Sequence, residues 1–424
     1  MNMNRRDFLL TSAAGAVLAS LGGCASVGGQ SRAKVVVVGG GYGGATAAKY
    51  IRLFDPSIEV TLVEPNETFI SCPISNLVLG GFKTLADITT PYDGLTKNHG
   101  VKIVHDMVTA IDVAGDRKTV RLAKGDALTC DRVIVAPGID FMWETLPGMN
   151  NPDAQAQVLH AWKAGAQTVA LRKQLEAMPD GGVYALSIPL APYRCPPGPY
   201  ERSCQIAAYF KQAKPKSKVL ILDANPDVTS KGPLFKKAWA ELYGGIIEYR
   251  PNSKLVDVDV KGSVLKLEVD DVKAAVLNVL PPMKAGRIAE PFITVNKRWC
   301  EVDWLTYESK AVKGVHLLGD AINSAPLMPK SGHMANAHGK ACAAAVVALL
   351  NNESPNPSPT LSNACYSFVS ERQVVHVASV HKYDEKDKTM KTVPGSGGVS
   401  PAMNEVESGY AMTWARNIWA DTLT

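Results

Sequence analysis

The first strong pattern in the chain is a short apolar run followed by a helix-forming stretch and a second strand. Residues 35–38 form a continuous apolar run, an alanine-rich segment follows through Arg52, and residues 59–63 form a second predicted strand. An uninterrupted apolar strand that is followed by a helix and another strand is typical of a parallel sheet that is covered on both faces. The pattern therefore predicts a βαβ unit at the start of the folded chain.

The turn between this strand and this helix carries a glycine pattern. Gly39, Gly41 and Gly44 stand at the glycine positions of G-x-G-x-x-G. They allow a tight turn, a close approach of the backbone to a pyrophosphate and close packing of the helix on the strand. Glu64 follows 20 residues after Gly44, at a strand end where a carboxylate can hold a ribose diol. The motif in this setting predicts a dinucleotide site.

Two later segments indicate which dinucleotide binds. One apolar strand ends in a tight turn at Gly138, and another ends in a Gly-Asp pair at Asp320. This set resembles the FAD-binding pattern of the glutathione-reductase-like flavoproteins, and the resemblance implies that Asp320 holds the ribityl chain. A helix predicted to start near Gly332 would point its N-terminus at the flavin, and Lys330 before it would favour the reduced, anionic flavin. A purely structural lysine is the alternative.

The second half of the chain repeats the skeleton without its phosphate loop. The apolar strand at 183–188 is followed by residues 191–202, which read APYRCPPGPYER, and then by a predicted helix at 203–210. A further strand ends at Asp223. Proline has no N–H group and the loop has no glycine at the close-approach positions, so it cannot cradle a pyrophosphate. In place of a nicotinamide site, the loop carries the thiol of Cys195 and the carboxylate of Glu201.

The length of 424 residues predicts several domains. The predicted fold class is α/β, with two Rossmann-like dinucleotide-binding domains, of which the second lacks the Gly-rich loop, and an α+β C-terminal interface domain. The predicted parts are an export signal at 1–31, a discontinuous FAD-binding domain at 32–150 and 288–352, the second dinucleotide-like domain at 151–287, and the C-terminal domain at 353–424.

Composition and charge narrow the location and the partners. The chain is 46% hydrophobic with a formal net charge of +5 and no dense basic patch, so nothing indicates nucleic acid. Arg5 and Arg6 precede an apolar run at 9–21, which predicts twin-arginine export to the periplasm; an ordinary secretory signal is the alternative. The run is too short to span a bilayer. Cys24 is the last residue of a segment that resembles a lipoprotein cleavage site, and a lipid attached to it would anchor the protein to a membrane.

Three cysteines are candidates for chemistry. Cys72 lies where related disulfide reductases bring a cysteine pair against the flavin; a thioether to FAD is one interpretation and a buried hydrophobe the other. Cys195 needs a partner if it is redox-active, and both Cys204 and Cys365 are available. The alternative is a structural disulfide, which is common in exported proteins. The sequence does not show whether the α-carbons of two of these cysteines lie within bridging distance. Glu201 is a candidate base, or an ordinary carboxylate at a helix N-terminus.

Together these segments resemble the flavoprotein subunits of the flavocytochrome c sulfide dehydrogenases. The most specific stretches are 35–50, Cys72 with Ser75-Asn76, 194–202, Gly319-Asp320, 328–332 and Cys365-Tyr366-Ser367. The resemblance implies covalent FAD on Cys72 and a redox disulfide between Cys195 and Cys365. Cys204 and Cys342 depart from the family pattern, which leaves the pairing open.

The resemblance also implies an activity and a partner. Hydrogen sulfide would be oxidised to sulfur or polysulfide through the disulfide and FAD, and the electrons would leave to a c-type haem. Because the chain has no Cys-x-x-Cys-His motif, that haem would belong to a cytochrome subunit in a heterodimer. No cysteine–histidine spacing indicates a metal site.

Three other classes compete with this interpretation. A sulfide:quinone oxidoreductase shares the fold but should carry a C-terminal membrane-binding segment, whereas the tail here is short and polar. A non-catalytic flavin electron-transfer or sulfur-binding subunit would not turn over sulfide. A pyridine-nucleotide disulfide reductase needs the second Gly-rich loop, which the chain lacks.

Overall fold

The structure is a computed structural model that describes residues 32–424. The predicted export signal and Cys24 lie outside the described residues. No helix within 32–424 has both the length and the apolar character needed to cross a membrane.

The described residues contain 23 β-strands and nine α-helices. The strands are β1 (Ala33–Val38), β2 (Ile58–Val63), β3 (Thr68–Ile70), β4 (Thr89–Pro91), β5 (Lys102–Val104), β6 (Val108–Asp112), β7 (Lys118–Leu122), β8 (Leu128–Cys130), β9 (Arg132–Val135), β10 (Ile139–Phe141), β11 (Val183–Ile188), β12 (Lys218–Asp223), β13 (Ile247–Arg250), β14 (Leu255–Asp259), β15 (Val264–Leu267), β16 (Asp271–Lys273), β17 (Val276–Val279), β18 (Met283–Ala285), β19 (Val315–Leu317), β20 (Thr360–Phe368), β21 (Val374–Asp384), β22 (Thr389–Thr392) and β23 (Gly398–Val399). The α-helices are α1 (Tyr42–Phe54), α2 (Ser75–Gly80), α3 (Asp93–His99), α4 (Pro152–Gln157), α5 (Ala166–Ala177), α6 (Gly198–Ala213), α7 (Gly232–Leu242), α8 (Gly332–Leu350) and α9 (Val406–Leu423).

The first sheet is parallel and has the order β19-β9-β1-β2-β5. Its central strand β1 is almost fully buried, as the uninterrupted apolar run predicts, and helices α1 and α8 pack beside it. Because all five strands run the same way, the loops after their carboxyl ends meet at one edge. The predicted βαβ unit is confirmed.

The second sheet is also parallel, in the order β13-β12-β11-β17. The third is antiparallel: β20 pairs with β21, which also pairs with β22 and β23. The predicted fold class, two parallel dinucleotide-type units followed by an α+β unit, is therefore confirmed. The last residues of the chain form the helix α9.

Helix α6 begins earlier than the sequence pattern suggested. The pattern placed the helix at 203–210, but the structure starts it at Gly198, with Pro199 in its first turn. Proline is tolerated there because the first N–H groups of a helix have no partner within the helix. Glu201 consequently lies in the first helical turn and not in the proline-rich loop.

Helix α1 rests against β1 through a glycine. A Cβ atom added to Gly44 would lie 1.9 Å from the carbonyl oxygen of Gly39. That partner is backbone, so a side chain at this position must push the helix off the strand.

We therefore expect Gly44→Ala to lower the free energy of unfolding by about 2 kcal/mol, as overpacking does, and to reduce the FAD content of the purified protein. Chemical denaturation and the flavin absorbance measure both effects. Gly409→Ala in α9 is the matched control, because its Cβ would meet no atom within 4 Å. Equal stability and FAD content in the two variants would contradict the role given to Gly44.

Candidate active site

A cavity of about 710 Å³ lies at the carboxyl ends of the first sheet and extends toward the second and third sheets. Most of the residues predicted for the site line it: Gly39, Gly41, Glu64, Cys72, Gly138, Cys195, Glu201, Asp320 and Cys365. Segments far apart in the sequence therefore meet in one space. Gly44 and Lys330 do not line the cavity; they support residues that do.

One end of the cavity has the features of a dinucleotide site. The Glu64 carboxylate accepts a 2.7 Å hydrogen bond from the Gly40 N–H, so it is fixed at the end of β2. No side chain caps the start of α1, and a Cβ on Gly41 would meet no atom within 4 Å. An uncapped helix N-terminus beside open space suits a pyrophosphate. The residues present therefore fit FAD.

Lys330 supports the loop that carries Asp320. The Lys330 ammonium group donates to the carbonyl oxygens of Asp320 and Ile322 and lies 3.8 Å from the ring centroid of Trp299. Burial lowers the pKa of Lys330 to about 7, although Asp320 acts in the opposite direction. Lys330 thus supports the loop that is expected to hold the ribityl chain.

Cys72 lies between β3 and α2, with its sulfur at the wall of the cavity. The sulfur accepts a 3.4 Å hydrogen bond from the Ala164 N–H and a 3.6 Å contact from the Arg194 guanidinium. The sulfur also lies 3.8 Å from the Trp162 carbonyl oxygen, to which the thiol can donate, so backbone groups and a guanidinium surround it at the cavity wall.

The loop between β11 and α6 presents Cys195 by close backbone contacts. The Cys195 N–H donates a 2.8 Å hydrogen bond to the Lys330 carbonyl, and its backbone has a left-handed φ of 59°. A Cβ on Gly198 would lie 2.8 Å from the Cys195 sulfur and 2.7 Å from the Trp162 ring. Glycine at 198 makes the space that the thiol occupies.

The structure separates the two candidate partners of Cys195. Cys365 lies on β20 and lines the cavity, whereas Cys204 is fully buried inside α6 and does not. Burial raises the pKa of the Cys195 thiol well above its usual value, and Cys365 is the next strongest influence in that direction. All seven cysteines of the described residues are free thiols. Cys365, and not Cys204, is the thiol that shares the cavity with Cys195.

Glu201 is buried at the junction of three elements. One carboxylate oxygen accepts a 2.8 Å hydrogen bond from the Phe368 N–H, and the other accepts a 2.9 Å bond from the Asn76 amide. Burial raises the pKa of Glu201, while these two donors lower it. The group that the sequence placed in a loop is a rigidly held carboxylate at the cavity wall.

Three cations near the thiols had no assigned role in the sequence analysis. Arg194 precedes Cys195 and contacts Cys72, while Lys231 binds the Cys365 strand. Arg202 is 1% exposed, and its four hydrogen bonds go to neutral oxygens. Cation–carboxylate spacing gave no signal for any of them, because their hydrogen-bond partners are neutral oxygens and a thiol from distant parts of the chain. Three cations and the Glu201 carboxylate therefore lie around the thiols.

The second parallel sheet keeps the acid of a ribose site but uses it internally. The Asp223 carboxylate accepts hydrogen bonds of 2.7 Å from the Tyr200 hydroxyl and 3.1 Å from the Tyr249 hydroxyl, and the Asn225 amide donates a third. Asp223 is fully buried as a result. A ribose hydroxyl cannot reach it.

This fold and this cavity define an FAD-dependent oxidoreductase with a thiol pair at its flavin site. Comparison with known families specifies it further. Residues 33–177 match the pyridine nucleotide-disulphide oxidoreductase model, residues 168–281 match the central part of the sulfide dehydrogenase (flavocytochrome c) flavoprotein chain, and residues 357–423 match the flavin-binding part of flavocytochrome c sulphide dehydrogenase. The chain belongs to the family of flavocytochrome c sulfide dehydrogenase flavoprotein chains, which are sulfide-oxidising flavoproteins.

The individual relatives include a member of this family and two sulfide:quinone oxidoreductases. The flavoprotein chain of sulfide dehydrogenase from Chlorobaculum thiosulfatiphilum is 67% identical over 45 residues, which cover 11% of this chain and 94% of that sequence. The mitochondrial sulfide:quinone oxidoreductase of Mus musculus is 25% identical over 334 residues, covering 74% and 70% of the two chains. The crystal structure of the sulfide:quinone oxidoreductase of Aquifex aeolicus has a TM-score of 0.74 at 16% identity and covers 92% and 91%. The last likeness concerns the fold.

Proposed function

We propose that this flavoprotein oxidises hydrogen sulfide at a redox disulfide between Cys195 and Cys365 and passes the electrons through FAD to a c-type cytochrome subunit. The observation that carries the proposal is the shared cavity. Two cysteines, one in the loop after β11 and the other on β20, line the same space as Cys72 and as the loops that fit FAD. A third cysteine near one of them in sequence, Cys204, is buried in the core of a helix.

The proposed chemistry is a thiol–disulfide exchange with hydrosulfide as the nucleophile. Hydrosulfide attacks one sulfur of the bridge, so that a persulfide bond forms and the other cysteine leaves as a thiolate. A second hydrosulfide takes the outer sulfur away as hydrodisulfide. Two hydrosulfide ions have then lost two electrons and one proton, and the electrons reside in the reduced cysteine pair. Bound FAD supplies the two-electron acceptor that lets the bridge reform.

The cavity residues suit this anionic chemistry. The cationic Arg194 and Arg202 lie near the thiols, so they favour the entry of hydrosulfide and the charge of a departing thiolate. Glu201 is the proposed acceptor of the released proton. Its buried carboxylate has a raised pKa, which brings it closer to the working range of a general base.

Cys72 is the proposed site of covalent FAD attachment. Its sulfur lines the cavity and faces the N–H of Ala164 and the guanidinium of Arg194. The proposal therefore rests on the place of this thiol at the wall of the cavity that fits FAD, and on the match of Cys72 to the attachment site that the family resemblance implies.

The proposed acceptor is a cytochrome and not a nicotinamide or a membrane quinone. The hydroxyl groups of Tyr200 and Tyr249 hydrogen-bond to the Asp223 carboxylate, which a nicotinamide ribose would need. The C-terminal helix α9 is tied to α1, where the Tyr50 hydroxyl donates a 2.6 Å hydrogen bond to Asp421, so this helix packs against the FAD-binding unit. We also propose export by the twin-arginine route, which delivers a folded protein to a periplasmic cytochrome.

The central test replaces Cys195 by serine. We expect Cys195→Ser to retain FAD but to lose its anaerobic reduction by sulfide, measured by the bleaching of the flavin absorbance. Cys204→Ala is the matched control, because Cys204 is a buried cysteine of the same helix region, and it should be reduced like the wild type. Unchanged flavin reduction in Cys195→Ser would refute the disulfide mechanism.

The attachment of FAD is tested by acid precipitation. Wild-type protein should keep the flavin on the peptide that contains Cys72, whereas Cys72→Ala should release it into the supernatant, because no thioether can form. Cys130→Ala, which changes a cysteine buried in the first domain, should behave like the wild type. Release of all flavin from the wild type would contradict covalent attachment.

The role of Glu201 is tested by pH. A base acts when deprotonated, so the rate of flavin reduction should fall as the pH drops through the raised pKa of Glu201. We expect Glu201→Gln to lower the rate by about a hundredfold and, once the rate at each pH is divided by the fraction of sulfide present as hydrosulfide, to remove this acid limb. Stopped-flow traces between pH 5 and pH 9, with the exposed Glu290→Gln as control, measure it. A Glu201→Gln profile that parallels the wild type would exclude Glu201 as the base.

A further inference from the structure

Lys231 lies in the loop between β12 of the second sheet and α7, and it connects this loop to β20, the strand that carries Cys365. Its ammonium group donates hydrogen bonds to the Ser367 hydroxyl at 2.7 Å, the Cys365 carbonyl at 3.1 Å and the Val375 carbonyl at 3.3 Å. Lys231 immediately precedes α7, whereas its three partners lie on β20 and β21. A single side chain therefore spans two units of the fold at the level of the reactive thiol.

The ammonium group is buried without a carboxylate as a hydrogen-bond partner. Lys231 is 7% exposed, and the three acceptors that bind it are neutral oxygens. A buried charge is costly unless a counter-charge compensates for it. Burial lowers the pKa of Lys231, and four titratable groups raise it, in decreasing order Cys365, Glu201, Cys195 and Glu407. The first of these is a thiol that becomes negative only when it is reduced and deprotonated.

The backbone at this position is also unusual. Lys231 has a left-handed φ of 57°, a conformation that side chains other than glycine and asparagine seldom adopt. Such a conformation persists only where the surroundings require it. The side chain is directed into the junction between α7 and β20, so the strained residue is the one that brings a positive charge to Cys365.

We propose that Lys231 is a positioning residue for the Cys195–Cys365 pair, which fixes the strand that carries Cys365 and stabilises the thiolate of Cys365 when the pair is reduced. This inference rests on the proposed function of that pair. Reduction of a disulfide by two electrons yields two thiolates, which take up protons according to their surroundings. With Lys231 beside it, Cys365 keeps its negative charge while Cys195 takes up the proton.

The electrostatics of the two thiols agree with this division. Burial raises the pKa of Cys365, Lys231 is the neighbour that lowers it, and Glu201 opposes Lys231. The pKa of Cys195 is raised further by burial, by Cys365 and by Glu201, and Lys231 ranks behind Arg194 among the groups that lower it. The lysine therefore acts mainly on Cys365.

The test measures the ionisation of each thiol directly. The FAD-containing protein is reduced with a phosphine under argon and treated with iodoacetamide at a series of pH values, and peptide mass spectrometry gives the alkylation rate of Cys365 and of Cys195. We expect the Cys365 curve of the wild type to have its midpoint below that of Cys195. In Lys231→Met the Cys365 midpoint should rise by at least one pH unit, which makes alkylation at neutral pH about tenfold slower.

Two further variants separate charge from structure. Lys231→Arg keeps the positive charge, so its Cys365 midpoint should stay close to that of the wild type. Lys236→Met removes an exposed lysine of α7, the helix that Lys231 precedes, and should leave the Cys365 midpoint unchanged. A Lys231→Met protein with bound FAD and an unshifted Cys365 midpoint would overturn the proposal. If Lys231→Met does not fold, the wild type still decides, because a Cys195 midpoint below that of Cys365 overturns it as well.

The outcome is independent of the central test of the proposed function. If Cys195→Ser is still reduced by sulfide, the redox pair is wrong, yet the alkylation curves still report whether Lys231 lowers the pKa of Cys365. If the pair is right and the curves do not shift, only the role of Lys231 fails.

Discussion

A backbone hydrogen bond from the Cys195 N–H to the Lys330 carbonyl ties the loop that presents the thiol to the FAD-binding region. It joins the loop of the second sheet to the segment that precedes α8. The same Lys330 supports the Asp320 loop with its side chain. Lys330 therefore connects the thiol directly to a flavin-binding loop, and the proposed exchange of electrons between thiol and cofactor needs their distance to be fixed.

The other side of the thiol pair is fixed by buried charges of opposite sign. Glu201 binds the Phe368 N–H, and Lys231 binds the Cys365 carbonyl, so both attach the second sheet region to β20. Buried ionic groups are costly and contribute little net stability. Here they lie beside the proposed redox pair, which favours a functional role for both.

Much of the first sheet and its cofactor site was predictable because the information is local. The apolar run of β1, the glycines at 39, 41 and 44 and the acid at Glu64 are close in sequence, and periodicity and spacing reveal them. The loss of the second phosphate loop was visible for the same reason, since proline excludes donors wherever it stands. The start of α6 was misplaced because proline is compatible with both a loop and a first helical turn.

The sequence by itself determined the dinucleotide-type fold, the FAD-binding loops and the absence of a nicotinamide loop, since each depends on residues only a few positions apart. Only the tertiary structure decided that Cys365 and not Cys204 shares the cavity with Cys195, that tyrosines cover Asp223, and that Lys231 meets the Cys365 strand. These contacts join residues that are tens to hundreds of positions apart. Their distances depend on how three sheets pack, and no local pattern records that packing.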